Sequence, residues 1–170
     1  MKRKTRYLVQ CAMIAALYTV LTHMQNILLP GSASWAIQFR LSEALCVLAF
    51  FTPAAITGLT LGCLLFNITF AQALPLDFVA GSLASLLSAA CMWQSRQFVI
   101  KGFPLFGLLM PALWNGLIVG WELAIYTGGG FWVNAALVAV GELTVLLSMG
   151  SGLYYAVKLR GLDKKLFTLA

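Results

Sequence analysis

The chain has 170 residues, of which 61% are apolar and only 9% charged, against about 25% charged in an ordinary soluble domain. Of its 11 basic and 5 acidic residues, nine sit at the ends, at Lys2, Arg3, Lys4, Arg6, Lys158, Arg160, Asp163, Lys164 and Lys165, which leaves seven charges between Tyr7 and Val157. So few charges cannot cover a soluble surface, which excludes a soluble globular protein, a disordered chain and a secreted disulfide scaffold. They predict instead a small all-α membrane protein.

The net charge of +6 flanks apolar spans, so it reads as positive-inside bias rather than as a nucleic-acid surface, and no nucleic-acid motif accompanies it. Cys11, Cys46, Cys63 and Cys91 stand singly in apolar stretches. Without a C-x-x-C pair or a Cys/His cluster they are expected to pack as small residues, and no metal or cofactor is expected.

The first apolar run, Tyr7 to Leu29, exceeds the roughly 7–15 residues of a signal-peptide core. It also carries Thr22, His23, Gln25 and Asn26 toward its end. It is therefore expected to remain as an uncleaved first span, residues 7–29. A polar stretch from Pro30 to Gln38 follows, then an apolar run from Leu41 to Phe70 interrupted by Thr52-Pro53. Proline breaks a helix and restricts the residue before it, so this run is either one kinked helix or two short ones, 41–52 and 53–70. Spans at 77–93, at 105–126 with Pro111 inside it, and at 131–157 complete the chain, the last two joined by Gly128-Gly129-Gly130.

Charge decides between five spans and six. Both ends are basic, so both are expected in the cytoplasm, which requires an even number of crossings. Splitting at Pro53 gives a compact bundle of six transmembrane helices in one integral membrane domain over residues 1–170, and it puts Arg96 and Lys101 in a cytoplasmic loop. Residues 41–52 would then span only about 18 Å as an α-helix, so that helix must be sheltered by its neighbours. The chain carries no G-x-x-x-x-G-K-[ST] loop with which to use ATP itself.

An ionisable group inside a bilayer costs about 2.5–3.5 kcal/mol or more, so Glu43, Asp77, Glu122 and Glu142 are candidates for function, with Arg40 the one cation near them in sequence. Glu43 follows Arg40 by three residues and can pair with it. Asn115 and Glu122, seven apart, share a helix face, with Trp114 and Trp121 on the adjacent one. Asp77, Gly81, Ala84 and Ser88 form a small or polar stripe. The plainer alternative is that the acids pair internally or sit at the interface, which suits Asp77 at a helix start better than Glu142, with no cation near it. Four acids against one arginine suggest a donor-rich or cationic ligand, since a carboxylate accepts two parallel N–H bonds from a guanine-like edge. Trp35, Trp114, Trp121 and Trp132 can stack on a flat ring or belong to the aromatic belt. Small residues four apart, at Ala12/Ala16, Gly58/Gly62 and Gly116/Gly120, permit close helix approach, and the first pair can instead face a partner. His23 is expected to be a polar packing residue. No nucleophile–base spacing appears, so an enzyme is not expected.

The run Gln38-Phe39-Arg40-Leu41-Ser42-Glu43-Ala44-Leu45, followed by Phe50-Phe51-Thr52-Pro53, resembles the signature of the queuosine-precursor transporter family QueT. Gly62-Cys63-Leu64 with Asn67, Gly81-Ser82-Leu83, Asn115 with Ile118-Val119-Gly120, and Gly141-Glu142 continue the likeness to about residue 155. The resemblance implies a substrate-binding S-component of an energy-coupling factor (ECF) importer in a bacterial cell membrane. It implies six helices, a site open to the outside, and a cargo such as the aminomethyl (preQ1) or cyano (preQ0) deazaguanine. Its implied partners are a transmembrane coupling subunit, met through Ala12-x-x-x-Ala16, and two separate ATPase subunits. The substrate-binding residues expected on these combined grounds are Arg40, Glu43, Asp77, Asn115, Trp121, Glu122 and Glu142. Competing readings are an S-component for another nutrient such as thiamine, a stand-alone ion-coupled carrier, and an assembly protein. The carrier is disfavoured by the lack of an evident internal repeat.

Overall fold

The computed structural model describes residues 3–30, 39–70 and 73–167. Their regular elements are helical: α1 (Arg3–Leu28), a 3₁₀ helix (Leu41–Phe50), α2 (Ala54–Thr69), α3 (Asp77–Ser95), α4 (Leu105–Leu108), α5 (Met110–Tyr126), α6 (Phe131–Val145), a π turn (Leu146–Gly150), α7 (Ser151–Leu159) and α8 (Leu162–Leu166). Four stretches, Arg3–Leu28, Asp77–Ser95, Leu105–Tyr126 and Phe131–Leu159, are long and apolar enough to cross a membrane, and two shorter apolar helices accompany them.

Prolines set two of the boundaries. Pro53 precedes the first residue of α2, and the Thr52 hydroxyl accepts the Ala54 N–H at 3.3 Å. Pro111 has no N–H to give the carbonyl four residues back. The expected single span 105–126 is accordingly divided at Leu109 into the one-turn α4 and α5, with the proline in α5's first turn. The last span includes the π turn and continues as α7.

The segment between Arg40 and Pro53 is a ten-residue 3₁₀ helix, a long run for a geometry that rarely exceeds three or four residues. It rises about 2.0 Å per residue instead of 1.5 Å, so ten residues cover about 20 Å. Both ends are tied to α1. Gln25 accepts the Leu41 N–H at 2.7 Å and donates to the Phe39 carbonyl, while Thr52 donates to Gln10 Oε1 at 2.9 Å. The segment thus runs antiparallel to α1 from the level of Gln25 to that of Gln10. Eight of its ten residues are buried, and it touches α1, α2, α3, α6, α7 and the π turn. Its neighbours on all these sides shelter the short segment within the bundle.

Glycines let the outer helices close around it. A Cβ on Gly62 would sit 2.7 Å from Tyr18 Cβ, and one on Gly58 2.9 Å from the Cys11 carbonyl, so α2 lies parallel against α1. A Cβ on Gly120 would sit 2.6 Å from Ala135 Cα, where α5 meets α6. Gly120→Leu is expected to destabilise the bundle by about 1–3 kcal/mol through overpacking, read as a lower temperature at which the detergent-solubilised protein loses its gel-filtration peak. An unchanged midpoint would refute the close approach.

The chain's two described ends meet at one end of the bundle. The Arg6 guanidinium donates to the Lys165 and Leu166 carbonyls at 3.0 and 3.1 Å, and Gln10 donates to Leu166 as well.

Candidate functional site

Arg40 precedes the 3₁₀ helix with extended backbone, and Glu43 lies in the first turn. The Glu43 N–H donates to the Arg40 carbonyl at 2.9 Å. Glu43 is 1% exposed. Its Oε1 accepts the Tyr18 hydroxyl and its Oε2 the Cys46 thiol at 3.0 Å, so both oxygens are held in place. Arg40, Ser42, Asn67, Ser85, Ser88, Asn115, Glu122 and Glu142 are buried as well.

Arg40 is the electrostatic hub of this interior. Glu43 and Asp77 act on it electrostatically, as does Tyr18. Its guanidinium comes within 4.0 Å of the position a Cβ would take on Gly81, so the missing side chain on α3 makes room for it. Asn67 braces the same corner by donating to the Asp77 carbonyl at 2.7 Å. Asp77 itself is half-buried, and one of its oxygens accepts the Leu74 N–H at 2.7 Å. Part of its work is therefore to close the turn ahead of α3.

Glu122 on α5 interacts with Asp77 and Arg40, and Glu142 on α6 with Glu43 and Arg40. The 3₁₀ helix, α3, α5 and α6 thus each bring one acid to the neighbourhood of a single guanidinium. Glu122 is fully buried, with the Asp77 carboxyl as the one group acting on it by hydrogen bonding, and Glu142 Oε2 and Asn115 Nδ2 are unpartnered among the described residues. The buried hydroxyl of Ser88 on α3 shares that condition. A buried polar atom without a partner costs about 1–3 kcal/mol, and more when charged. Each such group calls for a partner that the described residues do not supply.

The tryptophans divide. Trp121 is 53% and Trp132 75% exposed, so neither shares the buried interior with the acids, whereas Trp114 is half-buried with its Nε1 buried and unpartnered. Trp35 lies outside the described residues. Of the residues proposed from sequence, the structure gathers Arg40, Glu43, Asp77, Glu122 and Glu142, adds buried Asn115 on the Glu122 face, and leaves Trp121 outside. Tyr18, Cys46 and Asn67 were not foreseen: a tyrosine and a cysteine in apolar runs carry no mark of their acid partner. Ser85 was legible in principle, since Gly81, Ser85 and Ser88 repeat at helical spacing. His23 pairs with the Thr69 hydroxyl at 2.9 Å and packs edge-on against Phe66, away from the acids.

On the outside of the bundle, Ala12 and Ala16 are exposed on the face of α1 opposite Cys11, Ile14, Ala15 and Tyr18. They lie among the exposed Val9, Met13, Leu17 and Val20.

The sequence profile of the family described as QueT transporter matches residues 8–159. The queuosine precursor transporter QueT of Lactococcus lactis subsp. cremoris (strain MG1363) is 37% identical over 89 residues, covering 51% of this chain and 48% of that protein. The match thus spans about half the length of that curated relative. No solved structure matches the chain significantly.

Proposed function

The chain belongs to the QueT transporter family, and from that premise we propose that it is the substrate-binding S-component of an ECF importer for a 7-deazaguanine precursor of queuosine. It is a multi-pass membrane protein of a transporter family, not an enzyme. In this reading six helical segments cross a bacterial cell membrane, both termini lie in the cytoplasm, and the cargo enters from outside. The cargo is a deazaguanine such as preQ1 or preQ0. Transport is driven by two ATPase subunits acting through a transmembrane coupling subunit.

The observation that carries the reading is the grouping of four carboxyls, three of them buried, about one arginine, with an unpartnered oxygen on Glu142 among the described residues. A deazaguanine is flat and rich in N–H donors, and a carboxylate accepts two of them in parallel. The exposed Ala12 and Ala16 support the partner assignment, since small side chains on an apolar helix face permit close approach of another membrane helix.

Mass spectrometry of small molecules retained by the purified protein is expected to find a deazaguanine; retention of an unrelated nutrient such as thiamine would overturn the cargo. Glu142→Gln is expected to weaken deazaguanine binding at least about tenfold, as loss of a charge-assisted hydrogen bond implies. Unchanged affinity in a titration of the purified variant would remove Glu142 from the site.

A further inference from the structure

The acids account for ligand donors, but one of the unpartnered groups is itself a donor. Asn115 is 4% exposed and its Nδ2 has no acceptor among the described residues. Its neighbour in height is Glu142, 3% exposed, whose Oε2 is also unpartnered. Asn115 stands eleven residues before the end of α5 at Tyr126, and Glu142 eleven after the start of α6 at Phe131. At about 1.5 Å per residue both lie about 16 Å below the turn joining these helices. The packing register agrees: Gly116 meets Ala135 and Ala139, and Gly120 meets Ala135. Continuing that antiparallel match puts Glu142 within one helical turn of Asn115. Both belong to the buried faces of their helices.

We propose that Asn115 and Glu142 form a specificity pair that reads a lactam edge, a ring carbonyl beside a ring N–H. Asn115 Nδ2 donates to the carbonyl oxygen while the Glu142 carboxylate accepts the adjacent N–H and, where present, the exocyclic amine. The assignment rests on the deazaguanine reading and deepens it. An adenine-like edge inverts the pattern. It sets an amino donor against the Asn115 amide N–H and a bare ring nitrogen against the carboxylate, so two buried groups go unpaired and two lone pairs face each other. Glu43 cannot take the acceptor's part as readily, because both of its oxygens are already engaged by Tyr18 and Cys46.

The test is a titration of the purified full chain in detergent with 7-deazaguanine and with 7-deazaadenine, which differ at this edge. The native chain is expected to bind 7-deazaadenine about a hundredfold or more weaker, the kind of rejection a hydrogen-bonding site imposes on an analogue that leaves it unpaired. Asn115→Leu is expected to lose at least tenfold in 7-deazaguanine affinity and most of the preference. Asn115→Ser, which keeps a donor, is expected to retain part of both, and it decides the matter if the leucine variant does not fold. Equal binding of the two bases by the native chain, or an intact preference in the folded Asn115 variants, overturns the pair while leaving the deazaguanine reading standing. Binding of neither base by the native chain overturns both.

Discussion

Arg40→Ala is expected to be the most damaging single substitution in this chain. It removes the one guanidinium around which Glu43, Asp77, Glu122 and Glu142 are grouped. Breaking a buried charge pair by deleting one partner typically costs about 3–5 kcal/mol, a large share of the stability of an ordinary small fold. Here Glu122 would be left beside Asp77, and Glu142 beside Glu43, without the cation they share. The expected result is little or no monodisperse protein after detergent extraction, against a single gel-filtration peak for the native chain. Arg40→Lys should recover part of the yield, because it restores charge without the planar fork of donors. An Arg40→Ala protein that is as abundant and as heat-resistant as the native one would show that the acids do not depend on Arg40.

The second large effect is expected on the outside of the bundle. Ala12→Leu with Ala16→Leu places two bulky side chains on the exposed face of α1, opposite the face that packs on Gly58 and Gly62. The fold and the ligand site should therefore be spared. Uptake of labelled deazaguanine by cells carrying the coupling and ATPase subunits should fall to background, while the purified double variant binds ligand as the native chain does. Retained uptake would reject this face as the docking surface. Lost binding would show that these alanines support the fold instead.

Much of the candidate site was legible because charge in an apolar chain is conspicuous. Arg40, Glu43, Asp77, Glu122 and Glu142 can be picked out by type alone, and helical spacing correctly set Asn115 with Glu122 on one buried face. The same spacing placed Trp114 with Trp121, yet one is half-buried and the other more than half exposed. Periodicity fixes which residues share a face, but not where along a helix its neighbours end. The break at Pro53 was legible from proline chemistry. The 3₁₀ form of residues 41–50 was not. Nothing in Leu41–Phe50 forbids an α-helix; the tighter winding accompanies ties to Gln25 and Gln10, which lie far apart on α1. The hydrogen bonds from Tyr18 and Cys46 to Glu43 depend on that geometry and were hidden with it.

The central segment also makes the site sensitive to arithmetic. An α-helix would need about thirteen residues to cover the 20 Å that ten cover here, so the chain crosses its own middle with no slack. Each residue of a 3₁₀ helix turns the chain by about 120°. Deleting one residue between Arg40 and Glu43 would swing the carboxylate a third of a revolution away from Tyr18, and inserting one would swing it the other way. Relatives that keep this site should therefore conserve the number of residues between the arginine and the glutamate more strictly than the identity of those between them. Length, in this stretch, is itself a binding determinant.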